Sequence, residues 1–391
     1  MRLSVLHLVS SFHTGGSERQ AVQLVRLLKA SRRHNVHLAC LDGSGVLRGE
    51  VERLGFREIP EYRLTSFYDA NMIRQLRRFA AMLAERRVDV VQTHDFYSNV
   101  FGMIGASLAR VPVRIAARRE TRGWRSNAQK RVERMAYRLA HAIVANAEAV
   151  KAQLISEGVK AGKIEVVYNG LDLERMRPAL LTREATLASF DLPGERDLRF
   201  VTIVANLRHP VKDHPTFLRA ASHVWRACPQ ARFVLAGEGE LTNAMQQLAA
   251  QLGIAEQTFF IGRSERVADL LAVSDVCVLS SQAEGFSNSI LEYMAAARPA
   301  VVTDVGGARE AITDGLTGFI VAAGDDAAMA ERITMLLNQP DTAREMGRRA
   351  RVVIEERFSC RAQLERTEAL YERLIAPRRA GVLRAARSTA Q

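Results

Sequence analysis

Two glutamates with seven residues between them stand in the stretch AEGFSNSILE, which begins at residue 283. Glu284 precedes a Gly-Phe-Ser-Asn turn, and Glu292 falls in the first turns of the helix that the following residues predict. Carboxylates accept hydrogen bonds from neighbouring hydroxyl groups, and backbone amides at a helix N-terminus favour phosphate. The pattern therefore suits a ligand that carries both hydroxyls and phosphates, such as a sugar nucleotide.

A purely structural alternative exists for one of the two acids. Ser289 and Glu292 have the spacing of a capping box, in which the serine caps the helix and the glutamate returns the hydrogen bond. That alternative explains Glu292 without any ligand, but it gives Glu284 no role.

A second candidate segment in the same half of the chain is NLRHPVKDHP, at 206–215. Arg208 and Lys212 could contact one phosphate group, the arginine through its planar fork and the lysine as a mobile charge. In an arginine-rich chain, an unrelated pair of surface cations is an equally good explanation. In LAGEGE (235–240), Gly237 and Gly239 would let the backbone lie close to a flat ligand.

The first half of the chain carries two weaker signals. Gly15 and Gly16 precede a predicted helix, so the backbone could approach an anionic group there, although a tight turn explains them equally well. His94 follows the predicted strand VDVVQT, where an imidazole is placed to hydrogen-bond a ligand hydroxyl. The alternative for His94 is a hydrogen bond within its own loop.

These residues require a scaffold that brings strand ends together. Short β-branched runs alternate with amphipathic stretches, which predicts parallel sheets covered by helices. The alternation stops and then restarts, so we predict an α/β fold with two doubly wound, Rossmann-like domains that face each other across a cleft. The predicted parts are a first domain at 1–172, a linker at 173–196, a second domain at 197–358, and a C-terminal helix with a basic tail at 359–391 that packs on the first domain.

Composition limits the class of protein. Hydrophobic residues make up 48% of the chain, the four cysteines lack metal-site spacing, and no apolar run reaches the roughly 18–20 residues of a spanning helix. The N-terminal stretch is too short and too soon interrupted for a signal peptide. We therefore expect a cytoplasmic protein with reduced thiols.

The formal net charge of +12 predicts a polyanionic partner. No helix-turn-helix, zinc-finger or RNA-binding pattern is present, so nucleic acid is not expected. The arginine-dense stretch from Arg114 to Arg138, which contains Trp124, instead suggests peripheral attachment to an anionic membrane surface. A solvated, arginine-rich face is the alternative.

Taken together, these motifs make the chain resemble the GT4 family of retaining glycosyltransferases, which have the two-domain GT-B fold. The matching motifs are GGSE (15–18), VVQTHD (90–95), VVYNGLD (166–172), NLRHPVK (206–212), VLAGEGE (234–240) and EGFSNSILE (284–292), the last being the family's E-x7-E signature. The resemblance extends over nearly the whole chain. Arg298 stands where most members have glycine, and we expect it to add positive charge near the site.

The resemblance implies transfer of a sugar from a nucleoside diphosphate donor to a saccharide or lipid-linked acceptor, in envelope or exopolysaccharide biosynthesis. By this resemblance, Glu284 binds the hydroxyls of the donor sugar and Glu292 binds the ribose. Lys212 and Arg208 hold the diphosphate, and His94 meets the sugar or the acceptor hydroxyl. The residues implied on the nucleotide side are Gly15, Gly16, Gly237, Gly239, Phe286, Ser287 and Asn288.

The sequence contains no Asp-x-Asp pair, so neither a metal ion nor another cofactor is expected to hold the diphosphate. Cationic side chains and helix N-termini would neutralise the leaving group instead. Two alternatives remain open, namely a nucleotide-sugar 2-epimerase of the same fold and a non-catalytic scaffold in polysaccharide assembly.

Overall fold

The computed structural model describes residues 2–13, 15–121 and 126–388 of the chain. These residues form two compact units, the first from the described parts of 1–119, 123–170 and 360–391, the second from those of 120–122 and 171–359. Each unit contains a six-stranded sheet in which neighbouring strands are parallel. The predicted pair of parallel α/β sheets is confirmed.

The first sheet consists of β1 (Ser4–Val9), β2 (Asn35–Cys40), β3 (Val90–Thr93), β4 (Val113–Arg118), β5 (Ala142–Ala145) and β6 (Ile164–Val166). Their order across the sheet is β2-β1-β3-β4-β5-β6. The helices between them are α1 (Gly16–Ser31), α2 (Arg48–Arg53), α3 (Ala70–Glu85), α4 (Phe96–Leu108), α5 (Asn127–Leu139) and α6 (Glu148–Ser156).

Helix α1 illustrates how the apolar pattern builds this unit. Ala21, Leu24, Val25 and Leu28 recur at helical spacing and are buried. Leu24 and Leu28 belong to the same apolar cluster as Val5 of β1, so the helix lies against the sheet. The N-terminus of α1 consequently follows the carboxyl end of β1, at the edge of the sheet where ligands bind in such folds.

The second sheet consists of β7 (Arg199–Val204), β8 (Ala231–Ala236), β9 (Thr258–Gly262), β10 (Val276–Leu279), β11 (Ala300–Thr303) and β12 (Phe319–Val321). Their order is β12-β11-β10-β7-β8-β9. The helices of this unit are α7 (Arg183–Ala188), α8 (His214–Ala227), α9 (Thr242–Gln251), α10 (Val267–Val273), α11 (Asn288–Ala295), α12 (Ala308–Ala311), α13 (Asp326–Asn338) and α14 (Pro340–Arg357).

The segment 173–196, predicted as a linker, contains regular structure of its own. Helix α7 lies within it, and Leu187 and Leu192 are buried with Phe200 of β7 in one apolar cluster. The helix is only six residues long and lies between Pro178 and Pro193, so its pattern is hard to recognise in the sequence.

The last helix, α15 (Cys360–Ser388), belongs to the first unit. Its Leu370, Tyr371 and Ile375 are buried in the cluster that contains Val5, and the Tyr371 hydroxyl donates a hydrogen bond to Gln92 of β3. None of the helices in the described part of the chain combines the length and apolar character needed to cross a membrane.

Candidate active site

Glu284 and Lys212 form an ion pair at the carboxyl edge of the second sheet. Lys212 Nζ lies 2.6 Å from Glu284 Oε1, and the two side chains are 19% and 13% exposed. Ser281 Oγ donates a second hydrogen bond to the same carboxylate oxygen at 2.7 Å. Both charged groups are therefore held in place while part of each side chain stays accessible to a ligand.

Contacts between two loops fix the backbone of Lys212. The residue ends a short 3-10 turn, Pro210–Lys212, between β7 and α8. Ser280 Oγ donates to Lys212 O at 2.9 Å, and Gln282 N donates to Val211 O at 2.8 Å. The loop after β10 thus holds the loop after β7, and the two charged residues that these loops carry are brought together.

A glycine pair in the loop after β11 sets the backbone at Glu284. Gly306 has a φ of +54°, and a Cβ there would lie 2.3 Å from Glu284 O. The following amide, Gly307 N, donates to Gly285 O at 2.7 Å. A side chain at position 306 would therefore displace the loop that carries the glutamate.

The capping-box explanation of Glu292 is wrong. Helix α11 begins at Asn288 with Ser287 as its N-cap, so Ser289 already lies inside the helix. Ser289 Oγ donates instead to Val204 O of β7 at 2.7 Å. Because this long-range bond occupies the hydroxyl, Glu292, which is partly buried in the second turn, is not part of a capping box.

The residues predicted to contact phosphates through their backbone surround the start of α11. The first amides of a helix have no partner within the helix and carry partial positive charge. Phe286 is 5% exposed and its ring packs on that of Phe358, with centroids 5.1 Å apart. The Phe286 ring is thus part of the core, and the roles predicted for Phe286, Ser287 and Asn288 concern their backbone.

Arg208 and Lys212 occupy separate ion pairs. Arg208 Nη2 lies 3.2 Å from Glu238 Oε1, and both side chains are exposed. An exposed pair of this kind contributes only about 0–1 kcal/mol to stability. An anionic ligand can therefore displace Glu238 at little cost, and the predicted role of Arg208 stays a prediction.

Gly237 and Gly239 are required by the packing of two loops. A Cβ on Gly237 would lie 2.0 Å from Ala205 O, and a Cβ on Gly239 would lie 2.2 Å from the carbonyl carbon of Leu207. The loop after β8 can lie against the loop after β7 only because both positions lack a side chain. Their predicted contact with a nucleotide would be additional to this role.

Arg298 does not add charge near Glu284, contrary to the expectation from the sequence. It precedes β11, at the opposite end of the strand from Gly306, and its Nη2 donates to Ala272 O at 2.7 Å. Helix α11 runs from the carboxyl edge of the sheet towards the amino edge, which carries the following residues away from the site.

His94 lies directly after β3, is 1% exposed, and contacts a second buried histidine. Its Nε2 is 2.9 Å from His7 Nδ1, and the two rings stack with centroids 5.2 Å apart. Burial, with the charge of Arg119, lowers the pKa of His7 to about 3. Burial, His7 and Arg119 likewise lower the pKa of His94 well below its usual value, so the pair is neutral.

The N-terminus of α1 carries a partly buried acid, Glu18, which the sequence analysis included in the GGSE motif without giving it a role. Gly15 is the N-cap and Gly16 the first helical residue, and Glu18 follows in the first turn. Burial raises the pKa of Glu18, and the charge of Asp95 adds to this increase. A hydrogen bond from the backbone amide of Glu18 itself acts in the opposite direction. A Cβ on Gly15 would lie 2.1 Å from Glu18 Oε2, so the glycine leaves room for this carboxylate.

The basic stretch that was predicted to meet a membrane is only partly exposed. Arg118 of β4 is 3% exposed and pairs with Glu157 at 2.5 Å, while Arg114 Nε donates to Leu139 O at 2.8 Å. These two arginines hold β4 against its neighbours and are not available to a bilayer. Trp124 lies outside the described residues.

The remaining cations of this stretch lie on one face of α5. The exposed basic residues of the helix are Lys130, Arg131, Arg134 and Arg138. Within the described part of the chain, no carboxylate forms an ion pair with Arg131, Arg134 or Arg138, whereas Arg348 and Arg349 of α14 both pair with Glu345. In the same described part, no group of three or more His, Cys, Asp or Glu side chains is arranged to hold a metal ion.

Comparison with known proteins matches each half of the chain to a glycosyltransferase family model. Residues 14–175 match the family model "Glycosyltransferase Family 4", and residues 188–353 match "Glycosyl transferases group 1". The chain is 34% identical over 191 residues to the putative glycosyltransferase EpsD of Bacillus subtilis, covering 49% of this chain and 50% of EpsD. It is 30% identical over 326 residues to D-inositol 3-phosphate glycosyltransferase of Nocardia farcinica, covering 78% of this chain and 70% of that protein.

Among solved structures, HepE of Anabaena in complex with UDP matches 94% of this chain and 99% of its own, with a TM-score of 0.83 at 20% identity. At this identity the likeness establishes the fold, which is the GT-B fold.

Proposed function

The chain belongs to family 4 of the glycosyltransferases, and from this premise we propose that it transfers a sugar from a nucleoside diphosphate donor to a saccharide or lipid-linked acceptor. The observation that carries the proposal is the Lys212–Glu284 ion pair, which Ser281 supports with a hydrogen bond. Glu284 lies four residues before the start of α11. A carboxylate, a cation and helix amides side by side are the groups that a sugar diphosphate requires.

In this proposal, the leaving group is stabilised without a metal ion. Lys212, Arg208 and the first amides of α11 offset the negative charge that develops on the departing nucleoside diphosphate. Glu284 accepts hydrogen bonds from the hydroxyls of the donor sugar, and Glu292 accepts them from the ribose. The ion pair holds Lys212 and Glu284 near their working positions, and donor binding exchanges this contact for contacts with the ligand.

Transfer with retention of configuration is the stereochemistry that we assign. The bond from the anomeric carbon to the phosphate oxygen breaks, and the bond to the acceptor oxygen forms on the same face of the sugar. The acceptor's proton moves to a phosphate oxygen of the donor. The transition state has oxocarbenium character, so no side chain has to act as the nucleophile.

His94 acts in this proposal as a neutral hydrogen-bonding partner of the sugar or the acceptor hydroxyl. The low pKa of the buried His7–His94 pair supports an uncharged role.

A UDP-sugar is the donor that we favour, because HepE, which has the same fold, was solved with UDP. The place of the reaction in envelope or exopolysaccharide biosynthesis rests on the resemblance to the GT4 family.

The inner face of an anionic membrane is the location that we assign to the reaction. The exposed cations of α5, in the first unit, support this assignment, because each basic residue near an anionic bilayer contributes about 1 kcal/mol. Four such residues on one helix face suffice for reversible, salt-sensitive attachment.

A thermal-shift screen of UDP-, GDP- and ADP-sugars in excess EDTA tests the proposal. A bound donor at about 100 times its Kd stabilises the folded protein by about 2.7 kcal/mol, so a UDP-sugar is expected to raise Tm clearly. Incubation with the donor alone checks the epimerase alternative, which predicts a new epimer. No stabilisation by any nucleotide sugar would contradict the proposal and favour the non-catalytic scaffold.

A further inference from the structure

Aromatic side chains of the first unit come together close to the end of β3: Phe67, Phe96 and Tyr97 are in contact, and Tyr68, which follows Phe67, is exposed. Tyr68 is 86% exposed and Tyr97 is 50% exposed. Tyr97 stacks on Phe67 with ring centroids 5.8 Å apart and an interplanar angle of 29°, and Phe96 meets Tyr97 edge-on at 5.2 Å. Exposed apolar side chains that are grouped in this way mark binding surfaces more often than isolated ones do.

The loop that carries Phe67 and Tyr68 is held at both ends. Tyr62, just before the loop, is buried and packs edge-on against Phe79, with centroids 5.1 Å apart. Asp69, just after the loop, caps α3 by accepting a hydrogen bond from Met72 N at 2.9 Å. The two rings are therefore presented on a supported loop, which lowers the entropy lost on ligand binding.

Tyr97 is held equally firmly from the other side. It is the second residue of α4, whose N-terminus is closed by a capping box between Asp95 and Ser98. Asp95 also accepts hydrogen bonds from the backbone and the hydroxyl of Ser10 at the end of β1. Since His94 directly precedes this cap, Tyr97 and His94 lie at the same edge of the sheet.

The surroundings of the rings are polar and include a negative charge. Asp69 accepts a hydrogen bond from Thr65 Oγ1 at 2.5 Å, which lowers the pKa of the carboxyl group. Flat apolar faces on a loop that also carries hydroxyl and carboxylate groups match a pyranose ring, which has apolar C–H faces and a rim of hydroxyls. A carboxylate disfavours contact with an anionic bilayer.

We infer that Phe67, Tyr68 and Tyr97 form a stacking platform for a pyranose ring of the saccharide acceptor. This inference rests on the proposed function, because it names the part of the protein that binds the acceptor. It adds a chemical class to the acceptor, namely a saccharide whose ring exposes an apolar face, as glucose-type rings with equatorial hydroxyls do.

Saturation-transfer NMR titrations with cellobiose and with lactose test the inference. Tyr68→Ala and Tyr97→Ala each remove one ring of the platform. Each change is expected to weaken binding of the better-bound disaccharide about tenfold. Tyr68→Phe and Tyr97→Phe keep the ring faces and are expected to retain most of the binding. Leu108→Ala is the matched control, because Leu108 is 60% exposed at the far end of α4.

The inference is overturned if neither disaccharide binds the wild type, if both alanine variants bind as the wild type does, or if Leu108→Ala weakens binding as strongly. Loss of phosphatidylglycerol-vesicle binding in the tyrosine variants with unchanged disaccharide binding would assign the rings to the membrane instead and would also overturn it. UDP-induced stabilisation is expected to be unchanged in all variants. If UDP fails to stabilise even the wild type, the proposed donor function fails while the disaccharide titration still decides the platform.

Discussion

Replacing Lys212 by alanine removes the ammonium group that lies 2.6 Å from Glu284 and leaves Ser281 as a remaining donor to that carboxylate. In the proposed reaction, this group faces the charge that develops on the diphosphate. Losing one such preorganised contact costs about 2–4 kcal/mol of transition-state stabilisation, which is roughly a 30- to 1000-fold loss in kcat/KM. The cost to folding lies between that of a surface pair, about 0–1 kcal/mol, and that of a buried pair, about 3–5 kcal/mol.

The assay compares kcat/KM for the variant and the wild type with the donor that the thermal-shift screen identifies, below the Tm of both proteins. Arg219→Ala is the matched control, since Arg219 Nε forms an ion pair with Asp326 at 3.0 Å in the same unit. Glu284→Gln is expected to fall in the same range as Lys212→Ala. A Lys212→Ala enzyme within about threefold of wild type, or an equal loss in Arg219→Ala, would refute the reasoning.

The remaining predictions concern the second glutamate, metal ions, pH and the membrane. Glu292→Ala is expected to raise the donor KM, because an acceptor for the ribose hydroxyls is lost; a lower Tm with an unchanged KM would contradict the ribose role. Transferase activity is expected to persist in excess EDTA. Activity that EDTA abolishes and Mg²⁺ restores would contradict the metal-free mechanism. Burial holds the pKa of His7 at about 3, so between that pH and about 6.5 the unfolded chain binds more protons and stability falls as pH is lowered. The free energy of unfolding, measured with urea, is expected to fall less from pH 7 to pH 5 for His7→Asn than for wild type. An identical fall in both proteins would contradict the low pKa of His7 in the folded state. Arg134→Glu is expected to weaken sedimentation with phosphatidylglycerol vesicles by about 2 kcal/mol, roughly 30-fold, whereas Arg348→Glu on α14 serves as the control that leaves it unchanged.

The two sheets could be predicted because local sequence carries the signal for them. Strands buried on both faces appear as short apolar runs, and covering helices such as α1 show apolar residues at three- and four-residue spacing. Helix α7 escaped prediction because six residues give too little periodicity. The sequence also predicted Glu284, Lys212 and His94 at the ends of strands, although not which contacts each one makes.

The contacts that sequence reasoning missed are those between residues far apart in the chain. The spacing of Ser289 and Glu292 fits a capping box, but the serine hydroxyl donates its hydrogen bond to the carbonyl of Val204 instead. Arg298 follows α11 in sequence and is carried by it to the opposite edge of the sheet. In the same way, the contact between Phe67 and Tyr97 joins residues that are 30 positions apart, so no local pattern announces an aromatic cluster.

A crystal structure of the wild-type protein with UDP, grown in EDTA, tests the central claim most directly. The account predicts that the diphosphate lies within hydrogen-bonding distance of Lys212 Nζ and the first amides of α11. It also predicts that the ribose hydroxyls bind Glu292, while Glu284 faces the position of the donor sugar. Density for UDP elsewhere in the second unit, with the Lys212–Glu284 pair undisturbed, would contradict it.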